Sequence, residues 1–413
     1  MTEHDTPQYR SPLLSRPGAV AATGVDTGVA LHYGNPVAEG RALSAGKGIL
    51  DLSHQDVVLV AGPDRLTWLN SITSQNMLNI GADDGYELLV LDTKGHIEYA
   101  AAAADDGDTT WLMVESGRGE PLTAWLQSMQ FAMRVEVSHV SDEWATIGVV
   151  SPEDFDDVIT TLQDACEIAM DWLDPWPGIT EGGTSYYPVA DGSGTGGSGT
   201  DHPGAEHKWY RLVILRDELE DAVAGLEKDG FQLVGSWASE AERIAALRPR
   251  WGTEVDERTI AHELDWLRTA VHMDKGCYRG QETIARVHNL GRPPRRLVFL
   301  DIDGSQAILP EPGAEIYALP EGSAELGRPV GRVTSSSRHH ELGHIALALI
   351  KRSVPVDQVL VIPVDSEMLT ATQTEVVSQS GEPVTRPAPR PETLREVGRR
   401  PGGGLAGMPG AFG

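Results

Sequence analysis

The chain has 413 residues, 40% of them hydrophobic, and a net charge of −28 from 61 acidic and 33 basic side chains. That length allows two or three domains of a water-soluble globular protein, and the excess of acid repels nucleic-acid phosphates at long range, which argues against any general DNA or RNA partner. No apolar run is long enough to cross a bilayer, the N-terminus carries Glu3, His4 and Asp5 in place of an apolar signal segment, and two distant cysteines, Cys166 and Cys277, exclude a disulfide framework; the expectation is a cytoplasmic protein with no membrane partner.

Residues 1–23 are polar and proline-bearing and predict a flexible arm. Residues 24–48 hold six glycines, a composition suited to unusual backbone angles beside a ligand. The valine-rich stretch Asp56–Ala61 reads as a strand. Gly62-Pro63-Asp64 is turn chemistry, with Asp64 placed to cap a helix carrying Leu66, Trp68, Leu69 and Ile72. Strands follow at 86–92, 97–104 and 111–114, then a helix at 119–129. This β-α-β-β order predicts an α+β domain over 24–143, with helices on one face of a mixed or antiparallel sheet.

A second α+β domain, 144–290, opens with the strand Trp144–Val150 and a helix over 154–167. The glycine-rich stretch 178–206 predicts a flexible insertion. A strand at 210–215 and helices at 218–228 and 240–247 follow. Residues 291–365 read as a third, all-β domain with strands at 297–302 and near 329–335 and 344–351. Proline, glycine and arginine then accumulate, and 366–413 predicts a disordered tail.

The octapeptide Lys275-Gly276-Cys277-Tyr278-Arg279-Gly280-Gln281-Glu282 carries the most chemistry. It sets Cys277 between two cations, just before a helical pattern that begins at Gln281. Such a thiol is expected to be acidified and reactive, with Lys275 as its neighbour in the chemistry; as a plain structural turn, the same residues would use the thiol as a small hydrophobe. Tyr278 suits stacking on a ligand ring or a place in the core. Gln281 and Glu282 suit hydrogen bonds to a ring edge or the first turn of a helix. Arg279, Arg286, Arg292, Arg295 and Arg296 concentrate positive charge, and Arg286 is the candidate to pair with a ligand carboxylate; a solvated linker is the alternative for the last three. His288 has no companion at metal spacing, so no metal is expected. Asp51, Ser53 and His54 lack the spacing of a nucleophile elbow. No Gly-x-Gly-x-x-Gly opens a helix after a strand.

The octapeptide and the following Thr-Ile-Ala-Arg-Val-His closely resemble the signature of the YgfZ-type folate-binding proteins, relatives of the glycine-cleavage T protein. His32–Pro36, Asp51–His54, Val60–Arg65, Trp68–Gln75, Gly331–Ser336 and Ile345–Ile350 resemble other parts of the family in the same order. The resemblance implies an α+β fold of three domains in a T-protein-like ring around a central folate cavity, with a C-terminal β-barrel domain. It implies tetrahydrofolate as the ligand, held by Tyr278, Gln281, Glu282 and Arg286, with Cys277 and Lys275 as the reactive pair. It also implies iron–sulfur client or assembly proteins as partners, and the role of an accessory factor in iron–sulfur cluster assembly or repair; the alternative is an aminomethyltransferase. The thiol would react with a folate-borne one-carbon unit or carry sulfur. One departure from the T protein stands out. The T protein's aspartate just after the second-strand turn is implicated in aminomethyl transfer, and here the turn runs Lys94-Gly95-His96-Ile97-Glu98-Tyr99. Near Arg243-Ile244-Ala245-Ala246 a folate-facing glutamate of that family is also missing.

Overall fold

Two five-stranded sheets and one closed barrel organise the residues described by the computed structural model, which are 9–81, 85–150, 155–188, 202–319 and 326–383. The first sheet runs Tyr86–Leu91, Ile97–Asp105, Thr109–Val114, Asp56–Ala61, Glu136–His139, antiparallel throughout. The second runs Ile168–Leu173, Trp209–Leu215, Trp144–Val150, Gly48–Asp51, Gln232–Val234; only its last pair is parallel.

The two sheets pack face to face. Val57, Ala102, Trp111 and Met113 of the first meet Met170, Trp172 and Val213 of the second. Helices cover the outer faces. Arg65–Ile72 and Gly119–Ser128 bury Leu69, Leu122 and Leu126 on the first, and Phe155–Ala165 and Leu219–Lys228 bury Leu162, Val223 and Leu226 on the second. Period-two alternation makes this possible. In Trp209–Leu215, Leu212 and Ile214 face the helices while Val213 faces the other sheet. The barrel closes antiparallel strands in the order Arg295–Ile302, Gly343–Lys351, Gly331–His339, Glu315–Ala318, Leu360–Val364, Glu367–Glu375. A further cluster joins the first sheet to the barrel, combining Leu89 and Leu91, Trp266 and Leu267 of the intervening chain, and barrel residues Leu297 and Leu347.

Most expected elements stand where the sequence places them, and five readings change. Gly48–Asp51 belongs to the second sheet, so that unit draws a strand from within 24–143. The arm is not free between residues 9 and 23: Leu13 is fully buried and Ser11 donates to Asp51. Within 178–206, Tyr186 is fully buried and its N–H bonds to Asp265; only 189–201 of that insertion lies outside the described residues. The tail does not begin at 366. Glu367–Glu375 closes the barrel against Arg295–Ile302 and Leu360–Val364, and its alternating Leu369 and Ala371, both in the barrel core, are the reason. Residues 1–8 and 384–413 of the expected arm and tail lie outside the described residues. Asp64 caps nothing; its carboxylate pairs with Arg134 at 2.6 Å. Among the described residues no helix is long and apolar enough to cross a membrane.

A chain ending at Asp365 leaves two barrel strands with an open edge. It should aggregate or lose its cooperative melting transition, whereas a chain ending at Pro383 keeps every described strand. Equal melting temperatures for the two truncations would mean that the last strand contributes nothing to closure.

Candidate functional site

The octapeptide loop leads into the helix Gln281–Leu290, whose N-cap is Gly280 at φ +84°. A Cβ there would lie 2.7 Å from the Asp92 carbonyl oxygen, so only glycine lets the loop sit on the 91–97 turn. Lys275 anchors the loop from the other side. Its ammonium donates to the carbonyl oxygens of Asn70, Thr73 and Gln75 at 2.6–2.7 Å. Those three bonds use all its donors and satisfy carbonyls at the end of the helix Arg65–Ile72. Burial lowers the pKa of Lys275 to about 7, and the three carbonyls oppose that shift by favouring the charged form. Its Nζ also lies 5.1 Å from the centre of the Tyr278 ring.

Arg279, the other flanking cation, pairs with Glu98 at 2.7 Å. Glu98 owes its direction to a β-bulge. Tyr99 pairs with Val90 and Ile97 with Leu91, which leaves Glu98 as the extra residue. The bulge switches faces along the strand: Tyr99 packs with the helix-covered core, while Ile97 joins the central cluster. Both cations expected to attend the thiol are therefore committed to other partners. Cys277 itself is exposed. Tyr278 is buried in the central cluster, Gln281 donates to the Lys275 carbonyl at 3.4 Å, and Glu282 and Arg286 are exposed on the helix.

The arginine cluster does not converge on a ligand. Arg292 pairs with Glu382, Arg295 with Asp256 and Glu263, and Arg296 is fully buried with bonds to Gln373 and the Val354 carbonyl. Of the five, Arg286 alone makes no hydrogen bond or ion pair with a described residue.

A cavity lies elsewhere, at the junction of the two sheets and the segment 236–251, and no residue of the octapeptide lines it. Its water-accessible volume is about 100 Å³ and it opens to solvent, below the roughly 300–1,000 Å³ of pockets that enclose a whole drug-sized ligand. The alanine run 100–102 keeps its wall thin. Beneath it is a network of buried ion pairs. Arg250 meets Asp26, Glu115 and Glu240 at 2.8–3.0 Å, Arg248 meets Glu87 and Asp174 at 2.8 Å, and Arg243 meets Glu240 and Glu254. Burial pushes the Asp26 carboxyl up, but Arg250 and His54 outweigh it and hold it well below the carboxylate range. Five buried polar atoms of residues that line the cavity have no partner among the described residues: His54 Nδ1, Gln55 Oε1 and the indole nitrogens of Trp209, Trp251 and Trp266. Such orphans fit a site that completes its hydrogen bonds with a polar, flat ligand.

The octapeptide pattern did not lead to these residues. Two signals in the sequence point to them: Arg248-Pro249-Arg250-Trp251 puts two guanidiniums beside an apolar helix, and Arg211 interrupts the sheet-facing side of a strand. Asp51 and His54 do not form a relay. Ser53 Oγ donates to Asp51, while His54 Nε2 meets Asp26 at 3.2 Å. His339, His340 and Glu242 bring three possible metal-binding side chains together. The Nδ1 of His339 accepts two backbone N–H bonds, so its Nε2 carries the proton and donates to Glu242 at 3.2 Å. The cluster is thereby explained as a hydrogen-bonded contact between the helix Ser236–Ala245 and the barrel.

Comparison with known proteins agrees with the architecture. Residues 16–174 match the GCVT N-terminal domain, and residues 295–378 match the glycine cleavage T-protein C-terminal barrel domain. An aminomethyltransferase of Thermotoga sp. (strain RQ2) is 25% identical over 370 residues, covering 86% of this chain and 93% of the relative. One from Herpetosiphon aurantiacus is 25% identical, covering 83% and 90%. The crystal structure of the glycine cleavage system aminomethyltransferase T from Bartonella henselae superposes with a TM-score of 0.67 at 16% identity, covering 89% of this chain and 96% of that one; this likeness concerns the fold.

Two measurements check the site. Cys166 is buried, and burial raises its pKa to about 11, whereas Cys277 is exposed. Iodoacetamide at neutral pH should label Cys277 first, and equal labelling would contradict this placement. The second concerns His262, fully buried under the loop helix with Nε2 3.2 Å from the Ile284 carbonyl oxygen. Burial lowers its pKa to about 3, while an unfolded imidazole titrates near 6.5. Between about pH 6.5 and 3 the unfolded chain binds the extra proton, so stability falls as pH falls. Relative to His262→Phe, the wild type should lose up to about 1.4 kcal/mol more per pH unit in that window; parallel pH curves would show that this imidazole does not couple folding to protons.

Proposed function

We propose, from the premise that this chain belongs to the glycine-cleavage T-protein family, that it is a tetrahydrofolate-binding accessory factor in iron–sulfur protein assembly or repair, acting through the Cys277 thiol. The observation that carries the reading is the pair Glu98–Arg279. In the stretch where the T-protein pattern has the aspartate implicated in aminomethyl transfer, the available carboxylate is bulged and bound by the thiol loop at 2.7 Å. The cavity wall two residues further along offers only the methyl groups of Ala100 to Ala102. The carboxylate has become a support for the cysteine loop.

The lining fits a folate. His54, Gln55 and the indoles of Trp209, Trp251 and Trp266 would hold it, by unsatisfied polar atoms and flat apolar faces. Bound there, tetrahydrofolate would supply a carrier for one-carbon units. The chain's own residues do the rest. Lys275 fixes the loop as a positioning residue, Gly280 lets it lie against the 91–97 turn, and Cys277 is left exposed to a client protein. Arg286, exposed on the same helix and unpaired among the described residues, is placed for an acidic group of ligand or client.

The second reading is an aminomethyltransferase. It is favoured by the name carried by relatives that align over nearly their whole length. One experiment separates the two. The purified chain is given tetrahydrofolate and an aminomethyl-loaded lipoyl carrier. We expect folate binding without transfer, and Cys277→Ser should keep folate binding while losing support of iron–sulfur enzymes in cells. Turnover on the order of 1 per second or faster would establish the transferase instead.

A further inference from the structure

Between the short helix Trp266–Arg268 and the thiol loop runs a segment, 269–274, with no helix or strand of its own. Two other parts of the chain grip it. On one side, Thr184 N–H donates to the Leu267 carbonyl at 3.1 Å and Thr180 N–H to the Arg268 carbonyl at 2.9 Å, while the Gly182 carbonyl accepts from Met273 N–H at 2.8 Å. On the other side stand Ser74 and Gln75. Gln75 Nε2 donates to the Thr269 carbonyl at 2.7 Å, Ser74 Oγ donates to the Ala270 carbonyl, and the Ser74 carbonyl accepts from His272 N–H at 3.0 Å. Lys275 then adds its bonds to the carbonyls of Asn70, Thr73 and Gln75. The grip from the 70–75 stretch thus extends to Lys275, two residues short of the thiol, and Cys277 itself is exposed.

Ser74 and Gln75 are buried polar side chains, and each spends its donor on a residue 196 or 194 positions further along. Ser74 is itself fixed to the first sheet. Its N–H donates to the Leu89 carbonyl at 3.0 Å, and its Oγ accepts from Leu89 N–H at 2.9 Å. The hydroxyl therefore links strand and segment directly. Apolar packing of Ala270 and Val271 in the central cluster draws the segment inward, but only directional bonds fix its register along its length. The same segment is referenced to the cavity: Thr269 Oγ1 donates to Glu87 at 2.6 Å, and Glu87 lines the cavity and pairs with Arg248 at 2.8 Å. We propose that Ser74 and Gln75 are positioning residues for Cys277, setting the register of 269–275 on the first sheet and with it the place of the thiol relative to the cavity. The inference rests on the reading that Cys277 serves a client protein. Neither residue lines the cavity, so each acts on the thiol through the segment and not on a ligand.

The test uses the full chain in a Cys166→Ala background with Asp108→Cys as a second labelling site, exposed on the turn between two first-sheet strands. Pulsed electron paramagnetic resonance between nitroxides on the two thiols reads the distance distribution. Ser74→Ala, and Gln75→Met, which is neutral and close in shape, should broaden or displace that distribution. In the otherwise unaltered chain the same two substitutions should leave the calorimetric affinity for tetrahydrofolate at its wild-type value and lower the support of iron–sulfur enzymes in cells. Residues that only pack would lower the melting temperature without moving the label. Distributions that superpose on the wild type overturn the inference and leave the proposed function standing. A broadened distribution with full cellular support overturns it too, because the thiol then needs no fixed place. Should Ser74→Ala not fold, since it strands the Ala270 carbonyl and the Leu89 N–H, Gln75→Met decides alone. Undiminished cellular support in Cys277→Ser removes the role proposed for the thiol, and this inference with it.

Discussion

Arg250 is the side chain on which the arrangement of the units turns. Its guanidinium takes Asp26 from the N-terminal segment, Glu115 from the end of a first-sheet strand, and Glu240 from the helix that packs on the barrel. Arg248, two residues earlier, reaches Glu87 in the first sheet and Asp174 beyond the second. Glu254, four residues later, accepts from Ser335 of the barrel. Removing one member of such a buried set leaves a desolvated charge and costs about 3–5 kcal/mol. Apolar packing does not distinguish one sliding position of two sheets from the next, but bidentate ion pairs do. The network therefore sets where the sheets stop relative to each other, and with that the width of the cavity above it.

The thiol loop follows a different logic. It is held by backbone chemistry at its two ends, three carbonyls on Lys275 and a left-handed Gly280, with a side-chain pair between them at Arg279. None of these contacts uses the thiol. The loop is tied firmly at both ends while its thiol stays exposed. The cavity and the loop are joined through one strand: Glu98 grips the loop, and Ala100 lines the pocket.

Strands and helices were legible because each has one face toward a core and the matching period, as in Asp56–Ala61 and Gly119–Ser128. Glu367–Glu375 was not. Its alternation of Leu369 and Ala371 with polar residues is too weak to distinguish a barrel strand from the start of a polar tail, and only the partner strands decide it. The small strand Gly48–Asp51 was hidden among glycines for the same reason. At the site, Cys277 stood out through its neighbours in sequence. The partners of Lys275 and Arg279 were not legible, because a cation near a thiol in sequence is free to point elsewhere, and both do. Arg211, Arg248 and Arg250 come to the cavity from separate segments. Nothing local in the sequence records that they meet.

The pairing of Gly48–Asp51 with Gln232–Val234 also sets a timetable for synthesis. The first sheet needs nothing beyond His139 to be complete, so it can form on the growing chain. The second cannot gain its parallel edge until residue 234 has emerged, and the early strand must wait beside a finished neighbour for most of that time. Long-range parallel pairing of this kind is slow, and an unpaired strand is a hazard while it waits. Ser11, which bonds to Asp51 at the end of that strand, lies in the stretch of chain made just before it. The short N-terminal segment, which holds Asp51, is thus made before the partner strand exists.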